Sequence, residues 1–230
     1  PGEYRIEVTY RAGHQGKEGS FTARYTADAP YSDVPEGSWY HDAVLEVSAM
    51  GLMTGYGDGT FGPSDSLTRA QAATILWRYF QPTASKNYNA QAATNRTKMA
   101  DVESGSFYTE AANWAAENGV IHGVEKDGEL CFDPDASIPR EQLCVMIANA
   151  AHELCGRGVE GSDRTKLEAM PDVQSVPEWA SDSIAWCLNE GVVNGVDESG
   201  TRYVEPASIV DRATMAQIMV NAIDAKALSR

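Results

Sequence analysis

Three arginines, Arg69, Arg140 and Arg212, stand at the same place in a pattern that recurs three times along the chain. Each falls in the first turn of a predicted helix. A guanidinium offers a planar fork of donors that matches a carboxylate, and a helix N-terminus adds unpaired backbone N–H groups. The pattern therefore predicts three candidate anion contacts. Pairing with acidic neighbours, or a role in starting the helix, remains an alternative for each arginine, although a cation in the first turn opposes the helix dipole.

Aromatic residues and glycines keep fixed distances in all three copies of the pattern. An aromatic residue is followed after 12 positions by one glycine and after 4 more by another. The three sets are Trp39, Gly51 and Gly55, then Phe107, Gly119 and Gly123, then Trp179, Gly191 and Gly195. An Asp-Val pair precedes each set and contributes Asp33, Asp101 and Asp172. Self-similarity this regular predicts a repeat protein.

Each repeat is predicted to contain two helices. In repeat 1 the first runs from Trp39 to Met50, and Ala43 and Val47 fall on the same face as these two residues. We therefore favour a core position for Trp39 and, by the same reasoning, for Trp179, with a sugar platform as the alternative. A glycine with positive φ is predicted to end the first helix of each repeat: Gly51, Gly119 and Gly191.

The second helix of each repeat has its own start signal. Thr68 and Gln71 form a predicted capping box in repeat 1, and Asp211 takes the cap position in repeat 3. Repeat 2 has Pro139 there, which cannot cap through its side chain. Three tryptophans lie inside helices and are predicted core residues: Trp77, Trp114 and Trp186.

The chain is predicted to divide into four parts: 1–30, 31–81, 99–156 and 170–228. Apolar and polar residues alternate in 1–30, which predicts a β-hairpin with a glycine-rich loop. We interpret this hairpin, with its joint at 28–30, as the end of an upstream domain in a longer protein. The polar connectors 81–98 and 156–168 are predicted to be exposed and mobile. One two-helix unit cannot bury both of its faces, so the three repeats are expected to pack together.

Composition narrows the possible functions. The chain has 230 residues, 43% of them hydrophobic, which is enough for a globular core. A net charge of -15 argues against nucleic acid as a partner but leaves room for a local cationic pocket. No apolar run is long enough to span a membrane, and the histidines have no metal-ligand spacing, so no metal or cofactor is expected. The four cysteines are predicted to be free thiols, with a disulfide at Cys131 as the alternative.

The repeats resemble the S-layer homology domain. Repeat 1 carries the closest match, in Tyr31-Ser-Asp33-Val34, Trp39, Gly51-Leu-Met-Thr-Gly55-Tyr56-Gly-Asp58-Gly59-Thr60-Phe61-Gly-Pro63 and Thr68-Arg69-Ala70-Gln71. The likeness covers about residues 31–228. It implies a mainly α fold in which three repeats form a pseudo-threefold arrangement, with the first helices in a central bundle and sugar in grooves between neighbouring repeats.

The resemblance also implies a function. Such triplets anchor extracellular bacterial proteins to the cell surface without catalysis, by binding secondary cell-wall polysaccharide that often bears pyruvylated N-acetylmannosamine. The isolated fragment is then expected to be a monomer built as a pseudo-trimer, with no nucleic acid, membrane or cofactor partner.

Carried over by position, the resemblance implies a set of glycan-binding residues. They are Arg69, Arg140, Arg212, Gly55, Tyr56, Asp58, Gly123, Gly195, Asp33, Asp101, Asp172, Trp39 and Trp179. Arginine would meet the pyruvate carboxylate, aspartate would accept from hydroxyls, and glycine would let the backbone approach the sugar. The three aspartates could instead cap local turns and helices.

Repeats 2 and 3 depart from the family pattern. The tyrosine at Tyr56 is replaced by Val124 and Val196, and the glycine-to-arginine spacing grows from 14 to 17 residues. The site is therefore expected foremost at Arg69 in repeat 1, and the number of working grooves is left at one or two.

Two other functional classes compete with glycan anchoring. The repeats could assemble a surface layer through protein–protein contacts without sugar. A glycan hydrolase using paired carboxylates such as Asp33 and Asp58 is the weaker rival, because no local catalytic motif supports it.

Overall fold

The computed structural model describes residues 2–11, 18–27 and 31–229. Each repeat contributes two longer helices, and short helices lie in the connectors. In chain order they are α1 (His41–Ala49), α2 (Arg69–Phe80), α3 (Pro82–Lys86), α4 (Thr109–Glu117), α5 (Arg140–Cys155), α6 (Thr165–Glu168), α7 (Glu178–Asn189) and α8 (Arg212–Asp224). The predicted mainly α class with three helix–loop–helix repeats is confirmed.

Strands form three two-stranded hairpins within the described residues. The first joins β1 (Gly2–Arg11) to β2 (Glu18–Ala27) in antiparallel register, as the alternation predicts. Its glycine-rich loop and the joint at 28–30 lie outside the described residues. Two further hairpins were not predicted: β3 (Val124–Lys126) with β4 (Glu129–Cys131), and β5 (Val196–Glu198) with β6 (Thr201–Tyr203). They occupy the loops that are longer in repeats 2 and 3.

Helix boundaries follow local side-chain chemistry. Thr68 Oγ1 accepts from Gln71 N at 3.2 Å, and Gln71 Oε1 accepts from Thr68 N at 3.0 Å, which confirms the capping box. Asp211 accepts from Thr214 N at 2.7 Å, whereas Pro139 makes no side-chain cap. The predicted glycine ends are also confirmed, with φ of 72°, 68° and 75° at Gly51, Gly119 and Gly191.

The predicted face of the first helix is correct only in its middle. Ala43 and Val47 are buried, but Trp39 is 63% exposed and Met50 is 43% exposed. Helix α1 begins at His41, so Trp39 precedes it and does not follow the helical period. The three tryptophans predicted inside helices are at most 5% exposed, which confirms their core positions.

The three repeats meet in a closed ring of backbone hydrogen bonds. Leu67 N donates to Val210 O at 2.8 Å, Val210 N donates to Ile138 O at 3.0 Å, and Ile138 N donates to Leu67 O at 2.9 Å. All three residues are essentially inaccessible to solvent. Each stands two positions before one of the recurring arginines. The ring has the cyclic order that a pseudo-threefold arrangement requires, and the symmetry of the whole molecule stays a prediction.

Helices of different repeats also pack against each other, but within the described part of the chain they do not form the central bundle of first helices that the resemblance implied. The extensive helix pairs are α1 with α8, α2 with α4, and α5 with α7, so each first helix lies against the second helix of another repeat. Among the described residues, the main packing is therefore not a central bundle of first helices. The second helices start at the central ring, and α2 is buried at nearly every position from Arg69 to Trp77.

The connectors are less exposed than their composition predicts. Val159 and Leu167 are buried, and the Tyr88 ring meets Trp77 edge to face at 5.2 Å. None of the four cysteines, all of which lie in the described ranges, forms a disulfide, as predicted; Cys131, Cys144 and Cys187 are buried and Cys155 is half-buried. None of the helices in the described ranges has both the length and the apolar character needed to cross a bilayer.

Candidate functional site

Two of the recurring arginines reach into the loop of a different repeat. Arg69 donates from Nε to Phe132 O at 2.8 Å and from Nη1 to Gln142 Oε1 at 2.5 Å. Arg212 donates from Nε to Phe61 O at 2.9 Å and from Nη2 to Thr54 O at 2.7 Å. The side chain from repeat 1 thus enters repeat 2, and the side chain from repeat 3 enters repeat 1. Each junction is built from two repeats, which spacing within one repeat does not predict.

Backbone donors at the start of each second helix are already used. The first helical N–H of each repeat donates to a loop carbonyl of another repeat at 2.9–3.0 Å. The pairs are Arg69 N with Ala136 O, Arg140 N with Ser208 O, and Arg212 N with Asp65 O. These first N–H groups satisfy protein carbonyls and are therefore not available to an anion at the junctions.

Arg140 differs from the other two arginines in exposure and in bonding. Arg69 and Arg212 are 6% exposed, whereas Arg140 is half-buried. Within the described residues the Arg140 side chain makes no hydrogen bond, and its Nε is buried without a partner. The position equivalent to Phe132 and Phe61 in repeat 3 is Val204, whose carbonyl is not engaged by this Nε. Arg140 is therefore the recurring arginine whose guanidinium is partly exposed and gives no donor to the protein among the described residues.

An aromatic cluster surrounds Arg212. Its guanidinium carbon lies 4.8 Å from the centre of the Tyr56 ring and 4.5 Å from that of Phe61, within cation–π range. Tyr56 is half exposed and donates from its hydroxyl to Asp65 Oδ2 at 2.7 Å. Burial, followed by this bond to Asp65, raises the pKa of Tyr56, so the phenol keeps its proton. Tyr56 fills the space beside Arg212.

Carboxylates lie near Arg69. Burial lowers the pKa of Arg69, while the charges of Asp133 and Asp101 act in the opposite direction. The guanidinium also faces the Phe132 ring at 5.9 Å. Two hydrogen bonds to protein oxygens and two acidic neighbours therefore compensate much of the charge of Arg69 within the protein. The expectation that Arg69 is the foremost ligand residue therefore has less structural support than the same role for Arg140.

The three recurring aspartates bind backbone N–H groups of their own repeat. Asp33 accepts from Phe61 N and Gly62 N, each at 2.7 Å. The equivalent bonds join Asp101 to Phe132 N and Asp133 N, and Asp172 to Val204 N and Glu205 N, at 2.6–2.9 Å. Both oxygens of each carboxylate thus hold the start of a repeat against the loop before its second helix. The aspartates therefore have a structural role, but it joins residues about 30 positions apart and is not the local cap considered from the sequence. Contact of these aspartates with glycan stays a prediction.

The recurring glycines at Gly55, Gly123 and Gly195 let the loop pass close to its own chain. A Cβ on Gly55 would stand 2.4 Å from both Thr60 O and the Tyr31 ring. At Gly123 and Gly195 φ is 81° and 75°, and a Cβ would come within about 3 Å of the loop. Their geometry is explained by loop packing, and backbone access for a sugar stays a prediction.

Asp58 organises a turn. Its Oδ1 accepts from Thr60 N at 2.9 Å and from Thr60 Oγ1 at 2.6 Å. These hydrogen bonds lower the pKa of the exposed Asp58 carboxyl. Asp33 and Asp58 are thus both engaged in holding the loop of repeat 1.

The recurring aromatic residue, which lies just before or at the start of each first helix, is exposed in every repeat. Trp39, Phe107 and Trp179 are 63%, 53% and 59% exposed. The favoured core position for Trp39 and Trp179 is therefore wrong. Trp39 precedes α1, and Trp179, the second residue of α7, lies outside the buried face of that helix. Their flat surfaces are free to stack on a sugar ring, and that role stays a prediction.

One position that the sequence analysis missed explains why the three loops differ. Gly62, Asp133 and Glu205 occupy equivalent places and all have positive φ, at 70°, 61° and 49°. A Cβ on Gly62 would lie 2.5 Å from the Tyr56 ring. Tyr56 therefore requires glycine beside it, while repeats 2 and 3, with valine at the Tyr56 position, carry an acidic residue instead. The paired change is visible once the three copies are aligned.

Comparison with known protein families finds one family that matches the chain in three successive segments. The S-layer homology domain matches residues 30–73, 98–144 and 169–216. The chain belongs to the S-layer homology domain family. Each matched segment contains one recurring aspartate, one exposed aromatic residue and one recurring arginine, so the junctions described above are built entirely from S-layer homology repeats.

Relatives of this S-layer homology triplet include both surface-layer proteins and enzymes. The chain is 30% identical to S-layer protein EA1 of Bacillus anthracis over 84% of its length, which is 20% of that protein. It is 25% identical to an amylopullulanase of Thermoanaerobacterium thermosulfurigenes and 24% identical to exoglucanase XynX of Acetivibrio thermocellus. The matches cover 82% and 84% of this chain but only 9% and 16% of those proteins. The chain thus spans a fifth or less of these relatives, and both family and relatives agree with a location at the bacterial cell surface.

Proposed function

We propose that this S-layer homology triplet tethers a larger extracellular protein to the bacterial cell wall by binding an anionic secondary wall polysaccharide. The determinant we favour is a pyruvylated N-acetylmannosamine, whose carboxylate would meet a guanidinium at a junction between repeats. The observation that carries the proposal is Arg140, which is partly exposed at the junction of repeats 2 and 3 and has no side-chain hydrogen bond among the described residues.

The chemistry of this junction favours a ligand with a carboxylate. A guanidinium can bind both carboxylate oxygens, and the arginine keeps its charge at any physiological pH. Arg69 and Arg212 each engage two guanidinium nitrogens with protein oxygens and are 6% exposed, whereas Arg140 is half-buried. We therefore assign the main carboxylate contact to Arg140, and a sugar-stacking role to the exposed aromatic residues Trp39, Phe107 and Trp179.

The module itself is proposed to be non-catalytic. The Asp33 carboxylate accepts two backbone N–H groups, and Asp58 is committed to Thr60. Any catalysis by a full-length protein would belong to a region outside this chain, as in relatives that are named as enzymes and are several times longer.

Binding to purified bacterial wall sacculi tests the proposal, before and after acid stripping of the secondary polysaccharide. We expect binding by the wild-type chain, loss of binding on stripping, and about tenfold weaker binding by Arg140→Gln, because one charged hydrogen-bond donor pair is removed. The matched control is Lys86→Gln on exposed helix α3, which should bind as the wild type does. Binding that survives stripping would point to peptidoglycan, and concentration-dependent assembly without sacculus binding would support the self-assembly alternative.

A further inference from the structure

A cleft of about 490 Å³ opens beside the loop of repeat 3. Its lining includes apolar side chains, among them Met170 and Leu188, and polar ones, among them Asn194 and Thr201. Lys166 and Arg202 also line it, and no carboxylate does within the described residues. The cleft wall is thus cationic in a chain with a net charge of -15, and Asp197 stands opposite Arg202 across the β5–β6 hairpin.

Lys166 is held in place by the end of a helix. Its Nζ donates to Leu188 O at 3.1 Å and to Asn189 O at 3.5 Å, at the C-terminus of α7. These unpaired carbonyls and the negative end of the helix dipole favour an ammonium there. An ammonium has three donors, so one remains for a ligand.

Arg202 has no such engagement. It is exposed on β6, and within the described residues its side chain makes neither a hydrogen bond nor an ion pair. Its guanidinium fork is therefore available to an anion, and the cleft lining also includes Thr201 and Asn194, whose hydroxyl and amide groups can bind sugar hydroxyls.

The cationic cleft is a property of repeat 3 alone. In each repeat two successive loop N–H groups donate to the recurring aspartate, and the residue two positions before the first of them can be compared. It is Arg202 in repeat 3, Gly59 in repeat 1 and Leu130 in repeat 2. Lys166 belongs to the connector helix α6. The cleft is therefore not a copy of the arginine junctions, which recur in all three repeats.

We propose that this cleft binds a second anionic sugar substituent, a carboxylate or a phosphate ester, through Lys166 and Arg202. The inference rests on the proposed function, since the substituent would belong to the same wall polymer that meets Arg140. Binding at two cationic places would raise the avidity of the chain for a repeating anionic polymer. Because both cations are exposed, the contribution of the cleft falls as salt rises.

NMR titration of the full ¹⁵N-labelled chain tests the cleft directly. The probes are pyruvate, inorganic phosphate and, as the uncharged control, N-acetylmannosamine. We expect saturable shifts of the Thr201 and Arg202 amides and of Arg202 Nε with at least one anion, and none with the uncharged sugar. A response to pyruvate alone assigns a carboxylate, and a response to phosphate alone assigns a phosphate ester. No shift with either anion, or shifts that never saturate, would overturn the proposal.

Variants separate the cleft from the rest of the chain. The double variant Lys166→Gln, Arg202→Gln should weaken anion binding at Thr201 by about tenfold or more, while Lys86→Gln leaves it unchanged. The double variant should also weaken sacculus binding and reduce its salt dependence. Unaltered sacculus binding by the double variant would overturn the cleft as a polymer contact and leave the proposed function standing. If the wild-type chain itself fails to bind sacculi, the proposed function is wrong, and the anion titration still decides whether the cleft takes an anion.

Discussion

The guanidinium carbon of Arg212 lies 4.8 Å from the centre of the Tyr56 ring, so the third repeat closes onto the first. The same side chain donates to Thr54 O and Phe61 O and is 6% exposed. An arginine so placed acts as a clamp between repeats that are distant in sequence. This structural role depends on the loop that the side chain enters. The equivalent Arg140 makes no side-chain hydrogen bond among the described residues, although it occupies the same place in its repeat.

The three arginines are therefore expected to differ in their effect on stability. Arg212→Ala should lower the free energy of unfolding by about 2–4 kcal/mol, because it removes charged hydrogen bonds and leaves two carbonyls without donors. Arg140→Ala should cost less than about 1 kcal/mol while still weakening sacculus binding. Urea denaturation checks both values, and equal losses for the two variants would contradict the distinction drawn between them.

Gly62 is expected to be required by Tyr56. In Gly62→Ala the new Cβ would stand 2.3 Å from Asp65 Oδ2 and 2.5 Å from the Tyr56 ring, at a φ of 70°. We expect a loss of about 2–3 kcal/mol in thermal or urea unfolding, made up of the left-handed backbone cost and the steric overlap. Gly51→Ala is the matched control, since it has the same backbone region but open space around the Cβ, and it should cost about 1 kcal/mol.

A second change tests the cause at Gly62. Adding Tyr56→Val to Gly62→Ala reproduces the small residue found in repeats 2 and 3 and should recover part of the lost stability. If the loss of unfolding free energy in the double variant equals the sum of the losses in the two single variants, the Tyr56 ring is not the reason that position 62 requires glycine.

The recurring aspartates are expected to be structural in every repeat. Asp101→Asn keeps the shape but lets only one oxygen accept, so one of the two N–H bonds from Phe132 and Asp133 is lost. We expect a destabilisation of about 1–3 kcal/mol, measured by urea unfolding. Glu36→Gln, at an exposed position, is the control and should change stability little. A neutral Asp101→Asn would show that the carboxylate does not hold the loop.

The ion pair between Arg96 and Glu110 is expected to make stability depend on pH in the acidic range. Hydrogen bonds from Arg96 lower the pKa of Glu110 from its ordinary 4.5. A lowered folded-state pKa means that this contribution is fully present above about pH 4.5 and is lost as pH falls through the folded value. Arg96 is substantially exposed, so the contribution is about 0.5–1 kcal/mol. The stability gap between wild type and Glu110→Gln should close below pH 4.5, and a gap that persists would contradict the assignment.

Much of the local architecture could be predicted from the residues alone, because its causes lie within a few positions of each other. The Thr68–Gln71 box, the Asp211 cap and the glycine ends at Gly51, Gly119 and Gly191 were all confirmed, since caps and positive φ are local requirements. The motif residues, above all those of repeat 1, also predicted the family, and this prediction is confirmed. Exposure of Trp39 was mispredicted because the helical period was extended past the true start of α1, and exposure of Trp179 because this residue lies in the first turn of α7 but outside its buried face.

The partners of the recurring arginines and aspartates could not be read from spacing. Hydrogen bonds such as Arg212 to Phe61, Arg69 to Phe132 and Leu67 to Val210 join residues far apart in sequence. They exist because a two-helix repeat cannot bury both faces by itself and must satisfy its remaining donors on another repeat. Sequence thus determined what each repeat is, from local caps and periodicity. Only the tertiary structure decided which repeat completes which junction, and so left Arg140 as the guanidinium without a side-chain partner among the described residues.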